Sequence, residues 1–301
     1  MKVRFIINPR SGKRRKQLAL EAMVHTAAKQ AGAEVSLVYS QYPGHPQELA
    51  RQAVAEGVDR IAAVGGDGTV NEIGRQLIGT RTALGIIPCG SGNGLARHLG
   101  IPSSPQKAVP GVFDGDTVLM DTGTANGFPF LNVMGIGFDA EISEQFNKLA
   151  RRGALPYFLV GLRTFRRWKP FRYTMNTPDT PPDSSGDRRA WLIAVANASQ
   201  YGNNAVIAPG ADTGDGLLDC VTIRPASLRE FASLAFRLFA RNLNRHPAVK
   251  TSRSPRFVIS RENEGWMHTD GESHWTGKTI EVSVVPGSLH VVTNETGMQP
   301  N

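Results

Sequence analysis

The sequence predicts an α/β plus β protein: a parallel α/β domain at the N-terminus and a mostly antiparallel β domain, a sandwich or flattened barrel, at the C-terminus. Three observations lead there. Through the first part of the chain, short apolar runs alternate with stretches of helical spacing. From about Asp116 the rhythm changes to short β-type runs separated by Gly, Pro, Asn and Asp. In the first part, three glycine-bearing turns each follow a predicted strand and pass directly into a predicted helix.

Taken in order, residues 3–7 form an apolar strand that stops at Asn8-Pro9. Residues 13–31 carry Leu18, Leu20, Met23, Val24 and Ala27 at helical spacing and are closed by Gly32. A strand at 34–39, a helix at 46–56, a strand at 60–64, a helix at 70–78 and a strand at 83–87 follow. Helices long enough to cross over between strands imply a parallel sheet covered on both faces, and in such sheets ligands bind beyond the carboxyl ends of the strands. In the second part, strands are predicted at 117–123, 130–134, 191–196, 218–224, 256–260, 278–284 and 289–292. Helices near 140–149, 155–168 and 228–243 interrupt them, and the Pro- and Ser-rich tract 177–187 reads as a solvated loop. The expected domains are 1–115 and 116–301, with the last strand a candidate to return to the first domain.

Composition narrows the function. With 301 residues, 40% hydrophobic and 20% charged, the chain is an ordinary globular one with room for two domains. No uncharged apolar run approaches the ~18–20 residues that span a bilayer. The start, MKVRFIINPR, has too short an apolar part for a signal peptide. Cys89 and Cys220 cannot build a disulfide framework or a Cys-rich zinc site. The expected location is the cytoplasm. The net charge of +8 is unevenly placed: residues 1–16, 148–172 and 224–256 are strongly cationic, and Glu230 is their one acid. A cationic rim around an acidic remainder suits a protein that handles anions in one place and metal ions in another.

The three turns are Asn8-Pro9-Arg10-Ser11-Gly12-Lys13, Gly65-Gly66-Asp67-Gly68-Thr69 and Pro88-Cys89-Gly90-Ser91-Gly92-Asn93-Gly94. Glycines let backbone N–H groups approach an anion, and helix N-termini add a favourable dipole. Three such turns at one sheet edge look like a cradle for a nucleotide triphosphate. The Ser-Gly-Lys of the first lacks the spacing of a P-loop. Arg14, Arg15 and Lys16 either solvate the helix start or face phosphate. Asp67, wedged between glycines, points to a metal or a reacting hydroxyl; the competing role is to cap the following helix, which Thr69 could fill instead.

The GGDGT run with Asn71-Glu72 is preceded by the N-P-x-S-G loop and followed by GSGNGLAR. Downstream come NVMGIGFDAEI at 132–142, APGADTGDGLLD at 208–219, and Asp270-Gly271-Glu272. This ordered set, covering nearly the whole chain, resembles the diacylglycerol kinase catalytic family, which includes bacterial lipid kinases and sphingosine kinases. GGDGT alone is shared with NAD kinases and phosphofructokinases; the ordered set is highly specific. The resemblance implies two domains with the active site in the cleft between them, ATP and Mg²⁺ as cosubstrates, and a lipid hydroxyl as acceptor. It also implies that Asn8, Ser11, Gly12, Gly65, Gly66, Gly68, Thr69, Gly90, Ser91, Gly92 and Asn93 bind the nucleotide. Asp67 would order Mg²⁺ or help activate the acceptor, Asp270 is the slightly preferred general base, and Glu272 would support nucleotide or metal. The chemistry is coherent: phosphoryl transfer needs positioning and charge neutralisation at the γ-phosphate, while a carboxylate takes the hydroxyl proton.

Two departures stand out. Gly94 and Gly214 occupy positions where bacterial diacylglycerol kinases commonly carry Asp. Both carboxylates belong, by resemblance, to a network around a structural Mg²⁺, so that site is expected to be weakened or absent unless Asp212, Asp215 or Asp219 compensates. Asp215 is the metal candidate among these. Glu141 falls where sphingosine kinases hold an acid for the lipid's amino group, and Asp139 is the neighbouring candidate; a helix-start Glu favoured by the dipole explains Glu141 equally well.

Residues 155–168 are amphipathic and end in cations, which suits a lipid lid or peripheral contact with an anionic membrane at the inner face. Residues 228–243 have the same character, but core packing is the favoured account there. The seven histidines show no metal spacing; His98 is a candidate supporting residue and His268 and His274 merely flank the DGE motif. The leading function is an ATP-dependent lipid kinase acting on diacylglycerol or a related long-chain alcohol. The alternatives are a sphingosine kinase-like activity, an NAD kinase, for which no T-P-T-G-S-T-A-Y-like strand is present, and a catalytically silent lipid-binding homologue. Nucleic acid is not an expected partner, since zinc, basic-zipper and aromatic sheet motifs are lacking. A homodimer remains open.

Overall fold

The computed structural model describes residues 1–11, 14–147, 168–178 and 188–293. Gly12 and Lys13, residues 155–167 of the amphipathic segment and most of the Pro-rich tract lie outside the described residues. The chain divides into two compact units, residues 1–122 with the chain from Pro286 onward, and Gly123–Val285.

The first unit alternates β1 (Lys2–Ile7), α1 (Arg14–Gln30), β2 (Glu34–Tyr39), α2 (His45–Ala55), β3 (Arg60–Gly65), α3 (Asp67–Leu77), β4 (Ala83–Pro88), α4 (Gly94–His98) and α5 (Pro105–Asp114). Its strands lie in the order β2-β1-β3-β4, all parallel. Near-continuous apolar runs account for this: β3 and β4 are buried along almost their whole length, as a sheet covered on both faces requires. On one face Phe5, Ile7, Ala62, Val64 and Ile87 meet Leu20, Val24 and Ala28 of α1 and Ala108, Val112 and Phe113 of α5. Arg60 ties α5 down by donating to the carbonyls of Val112 (2.8 Å) and Phe113 (3.2 Å). Two features of this unit depart from the sequence expectation by more than a residue. Helix α3 starts three residues early, at Asp67, because the GGDGT turn is itself the first turn of the helix. Helix α5 was not anticipated, although Pro105 at its start is a helix-opening signal.

Strand β5 (Asp116–Ala125) leads into the second unit. There follow β6 (Phe128–Phe130), β7 (Val133–Gly137), α6 (Phe138–Asn147), β8 (Phe171–Asn176), β9 (Arg189–Ala190), β10 (Leu192–Ala196) and β11 (Leu218–Ile223). The chain continues through α7 (Leu228–Phe239), a 3-10 turn at Leu243–Arg245, β12 (Val249–Ser254), β13 (Arg256–Arg261), β14 (Gly265–Thr269), β15 (Glu272–Thr276) and β16 (Thr279–Thr293). The result is an antiparallel β-sandwich rather than a barrel. One sheet runs β12-β11-β10-β7-β14-β15. The other places the first half of β16 beside β13, then β8 and β9. Met134, Ile136, Ile193, Val195, Cys220 and Met267 of the first sheet pack on Phe257, Ile259, Ile280 and Val282 of the second. The outer face of the six-stranded sheet carries α6 and α7, through Phe138, Ile142 and Leu234.

The run 130–134 is not one strand: it breaks at residues 131–132 into β6 and β7. The strands expected at 278–284 and 289–292 are one 15-residue strand, β16, which passes through Pro286-Gly287 and brings Val291 beside Leu84 of β4 in parallel register.

Candidate active site

In the first unit the three turns sit at the carboxyl ends of β1, β3 and β4, and they are joined to one another. The side-chain amide of Asn8 donates to the Thr69 hydroxyl (3.0 Å), while its Oδ1 accepts from the N–H of Arg10 (3.0 Å). This links the first turn to the first turn of α3. Gly66 and Gly90 touch backbone to backbone: a Cβ on Gly90 would stand 2.5 Å from the Gly66 Cα. Glycine is therefore needed at position 90 for the second and third turns to meet, and a Cβ on Gly66 would crowd the Gly90 Cα at 3.2 Å. Asn93 adopts a left-handed backbone (φ 53) and closes its own turn, its side chain accepting from the Gly90 N–H (3.1 Å) and donating to the Gly90 carbonyl (2.9 Å).

Asp67 completes the join. Its carboxylate accepts from the backbone N–H of Asn93 (2.8 Å) and of Gly94 (2.6 Å). This corrects the sequence expectation in a specific way. Thr69 does not cap α3; it is buried against Asn8, and the N-cap Gly66 has no side-chain cap. Asp67 does act as a cap, but on the start of α4 rather than of its own helix. Gly94 matters here because its amide is one of the two donors.

Gly68 is different from its neighbours. Nothing lies within 4 Å of where its Cβ would be, and its backbone is outside the left-handed range. Neither strain nor a protein neighbour explains a glycine there, and it is exposed at the start of α3. An open position flanked by helix-start amides is what an incoming anion requires. Gly65, by contrast, is explained by the protein itself, since its Cβ would meet the Thr69 side chain at 2.5 Å. Ser91 is exposed and Gly92 half-buried in the third turn, where Arg97 donates to the Gly92 carbonyl (3.0 Å). Ser11 is half-buried, its N–H on the Asn8 carbonyl (3.0 Å).

In the second unit the DGE motif forms the tip of the β14–β15 hairpin. Asp270 (φ 53) and Gly271 (φ 83) both have left-handed backbones, as a two-residue hairpin turn demands. The Asp270 carboxylate accepts three backbone N–H groups, from Leu131 (2.8 Å), Asn132 (2.9 Å) and Val133 (3.0 Å). It thereby fixes the break between β6 and β7. Glu272 is exposed beside it.

Behind this turn lies a buried polar group that sequence reasoning missed. The N–H of Gly271 donates to Nδ1 of His268 (3.3 Å), so Nε2 carries the proton that meets Asp139 Oδ2 at 3.1 Å. The Tyr201 hydroxyl donates to the same oxygen (2.9 Å). His268 and Asp139 are 2% and 4% exposed. Gly135 makes the room: a Cβ there would stand 2.0 Å from Asp139 Oδ2. Glu141, in the first turn of α6, is half-buried and accepts from Gln145 (2.8 Å).

The acids of the 208–219 motif are matched by a cation. Arg253 on β12 binds the carboxylate of Asp215 and reaches Asp219 at 3.4 Å. Burial pushes the Asp219 carboxyl above its ordinary range, Arg253 opposing the shift and Asp215 and Asp212 reinforcing it. Among the described residues no group of three or more His, Cys, Asp or Glu side chains is arranged to hold a metal ion.

An α/β unit with amide-lined turns at its strand ends, followed by an antiparallel sandwich, defines a class that family comparison makes specific. Residues 2–125 match the diacylglycerol kinase catalytic domain, and residues 132–293 match the YegS C-terminal NAD kinase beta sandwich-like domain. A probable lipid kinase YegS-like protein of Chromohalobacter salexigens is 31% identical over 277 residues, covering 89% of this chain and 86% of that one. A diacylglycerol kinase of Bacillus subtilis is 30% identical over 279 residues, covering 90% and 89%. In fold, the chain is similar to the crystal structure of a diacylglycerol kinase from Bacillus anthracis, with TM-score 0.74 at 20% identity over 99% of this chain and 98% of that one. The chain belongs to the diacylglycerol kinase and YegS-like lipid kinase family.

Proposed function

We propose that this protein transfers the γ-phosphate of ATP to the hydroxyl of diacylglycerol or a closely related neutral long-chain alcohol. The observation that carries this reading is the joined set of turns in the first unit, where Asp67 locks the third turn against the second and Gly68 leaves open space at the start of α3. Amides of the second and third turns would hold the phosphates, and Asn8 and Ser11 would border them. Mg²⁺, when bound, would neutralise charge on the phosphate oxygens; Asp67, whose two oxygens each already accept one backbone N–H, would be the residue to order it through its remaining lone pairs. Asp215 fits a metal poorly, because the Arg253 guanidinium already neutralises it.

Asp270 is proposed as the proton acceptor from its place in the DGE motif, with Glu272 exposed beside it; its three amide donors fix its position but do not themselves favour proton uptake. Of the two acids offered for a long-chain base, Asp139 is withdrawn from that role. Its carboxylate is buried and engaged by His268 and Tyr201, so it is not displayed to a lipid ammonium, which leaves Glu141 alone for that task. The substrate's acyl chains imply peripheral contact with a membrane; among the described residues no helix is long and apolar enough to cross one.

The test is transfer of labelled γ-phosphate from ATP to diacylglycerol, sphingosine, monoacylglycerol and NAD in mixed micelles. Phosphatidic acid is the expected product. Transfer to NAD with none to any lipid overturns the proposal, and preference for sphingosine moves it to the long-chain bases.

A further inference from the structure

The apolar stripe of α7 is wider than the core it packs on. Phe231, Leu234 and Leu238 face the sandwich, where Leu234 is buried and the other two pack against the same cluster. The next face round the helix carries Leu228, Ala232, Phe236 and Phe239, at spacings of four, eight and eleven from Leu228. Its three large side chains are exposed: Leu228 by 58%, Phe236 by 72% and Phe239 by 55%. Three bulky apolar groups in water on one face of a single helix are more than scattered surface residues.

Along the chain this helix is flanked by cations, with a single acid among them. Arg229 is exposed at the start of the helix, and Arg241 and Arg245 are exposed just beyond its end. Glu230 is the single acid between residues 224 and 256. It is turned back into the helix cap, where it accepts from the backbone N–H (2.7 Å) and hydroxyl (2.8 Å) of Ser227. An exposed aromatic stripe framed by arginines is complementary to an anionic phospholipid surface, which offers acyl chains to the rings and headgroup charge to the guanidinium groups.

We propose that the Leu228–Phe236–Phe239 face of α7 docks on anionic phospholipid membranes. The site deepens the lipid-kinase reading, on which its biological purpose rests, but the binding itself does not require catalysis. Helix α7 was expected from its sequence to be a core helix; it is half one.

Flotation of the full chain with vesicles of phosphatidylcholine, alone or with about one-third phosphatidylglycerol and without diacylglycerol, tests it. The protein should float with the anionic vesicles and not with the neutral ones, and the F236S/F239S double variant should lose roughly tenfold or more in vesicle affinity. An R229Q/R241Q/R245Q variant should bind less tightly and respond less to added salt. Both sets of side chains are exposed, so the fold should be retained, which circular dichroism and melting temperature check. Wild-type protein that ignores anionic vesicles, or a serine variant that binds them as wild type does, overturns the proposal. So does a wild-type dimer that the serine variant converts to a monomer without loss of vesicle binding, since a second copy would then own the face. Phosphate transfer to a dispersed short-chain diacylglycerol separates the two readings. If vesicle binding behaves as described and no lipid is phosphorylated, the function fails and the surface stands; if transfer is intact and binding is unaffected by the substitutions, the surface alone fails.

Discussion

Asp67 and Asp270 share a habit: each spends its carboxylate on backbone amides of a different segment, two for Asp67 and three for Asp270. Asparagine preserves shape but presents an NH₂ group to donors, and a mismatched buried donor costs about 1–3 kcal/mol. Asp67→Asn and Asp270→Asn should therefore lower the melting temperature modestly and lower turnover by about 100-fold or more. They should differ in kind. Asp67→Asn should raise the Mg²⁺ concentration needed for half-maximal rate, whereas Asp270→Asn should lower kcat without moving it; the reverse pattern would exchange the two roles. Gly135 gives a test of the buried His268–Asp139 pair. Gly135→Ala puts a methyl group into Asp139, and overpacking of this kind typically costs about 1–3 kcal/mol. Combined with Asp139→Ala, the loss in urea unfolding should be smaller than the sum of the two single losses, because the nearer clash partner is gone and only His268 Nε2, at 2.6 Å, remains. Strict additivity would show that the two positions do not share this contact. The cysteines differ just as clearly. Burial pushes the Cys220 thiol up to about 12, so it stays protonated through the neutral range, while Cys89 is half-buried beside the third turn. At about pH 8 an alkylating reagent should modify Cys89 in the native protein and reach Cys220 only after unfolding, as mass spectrometry of digested protein will show.

At the scale of elements, some of what the sequence reading missed was written in the sequence and some was not. His268-Thr269-Asp270-Gly271-Glu272 contains an Asp-Gly pair between extended residues, a recognised hairpin signal that the β14–β15 turn obeys. Ser227 and Glu230 form a full capping box that marks the start of α7. Ser227→Ala should cost about 1 kcal/mol in urea unfolding, an effect absent if the helix is held by packing alone. The parallel order of β1 to β4 and their helices was legible because apolar runs and helical spacing alternate without ambiguity. The partners of Asp67 were not, because Asn93 and Gly94 lie 26 and 27 residues away and only the docking of Gly66 on Gly90 brings them close. The same holds for Asp139 and His268, which are 129 residues apart. Local spacing carries no information about such meetings; Gly135, which permits this one, lies just beyond the strand expected at 130–134 and bears no local sign of its role.

On the scale of the whole molecule, the chain returns to where it began. Pro286-Gly287 looked like a break between two short strands, yet β16 runs through it. The Gly287 N–H donates to the buried carboxylate of Asp121 on β5 (2.7 Å), and the hydroxyls of Ser288 and Thr122 bond at 2.8 Å, which holds the second half of the strand to the first unit. Leu289, Val291 and Val292 are buried there, with Val291 beside Leu84, and Gly115 is pressed against the Thr293 carbonyl, which a Cβ would approach to 2.5 Å. Burial of such side chains contributes about 1.5–3 kcal/mol each. Three of them amount to a large part of the ~5–15 kcal/mol that keeps a domain folded. A chain ending at Val285 should therefore lose the first unit before the second: limited proteolysis should cut within residues 1–122 while the sandwich, whose own strand of β16 stops at Val285, stays resistant. Equal resistance of both parts in the shortened chain would mean that the parallel sheet closes without its last strand, and that the return of the chain serves the site rather than the fold.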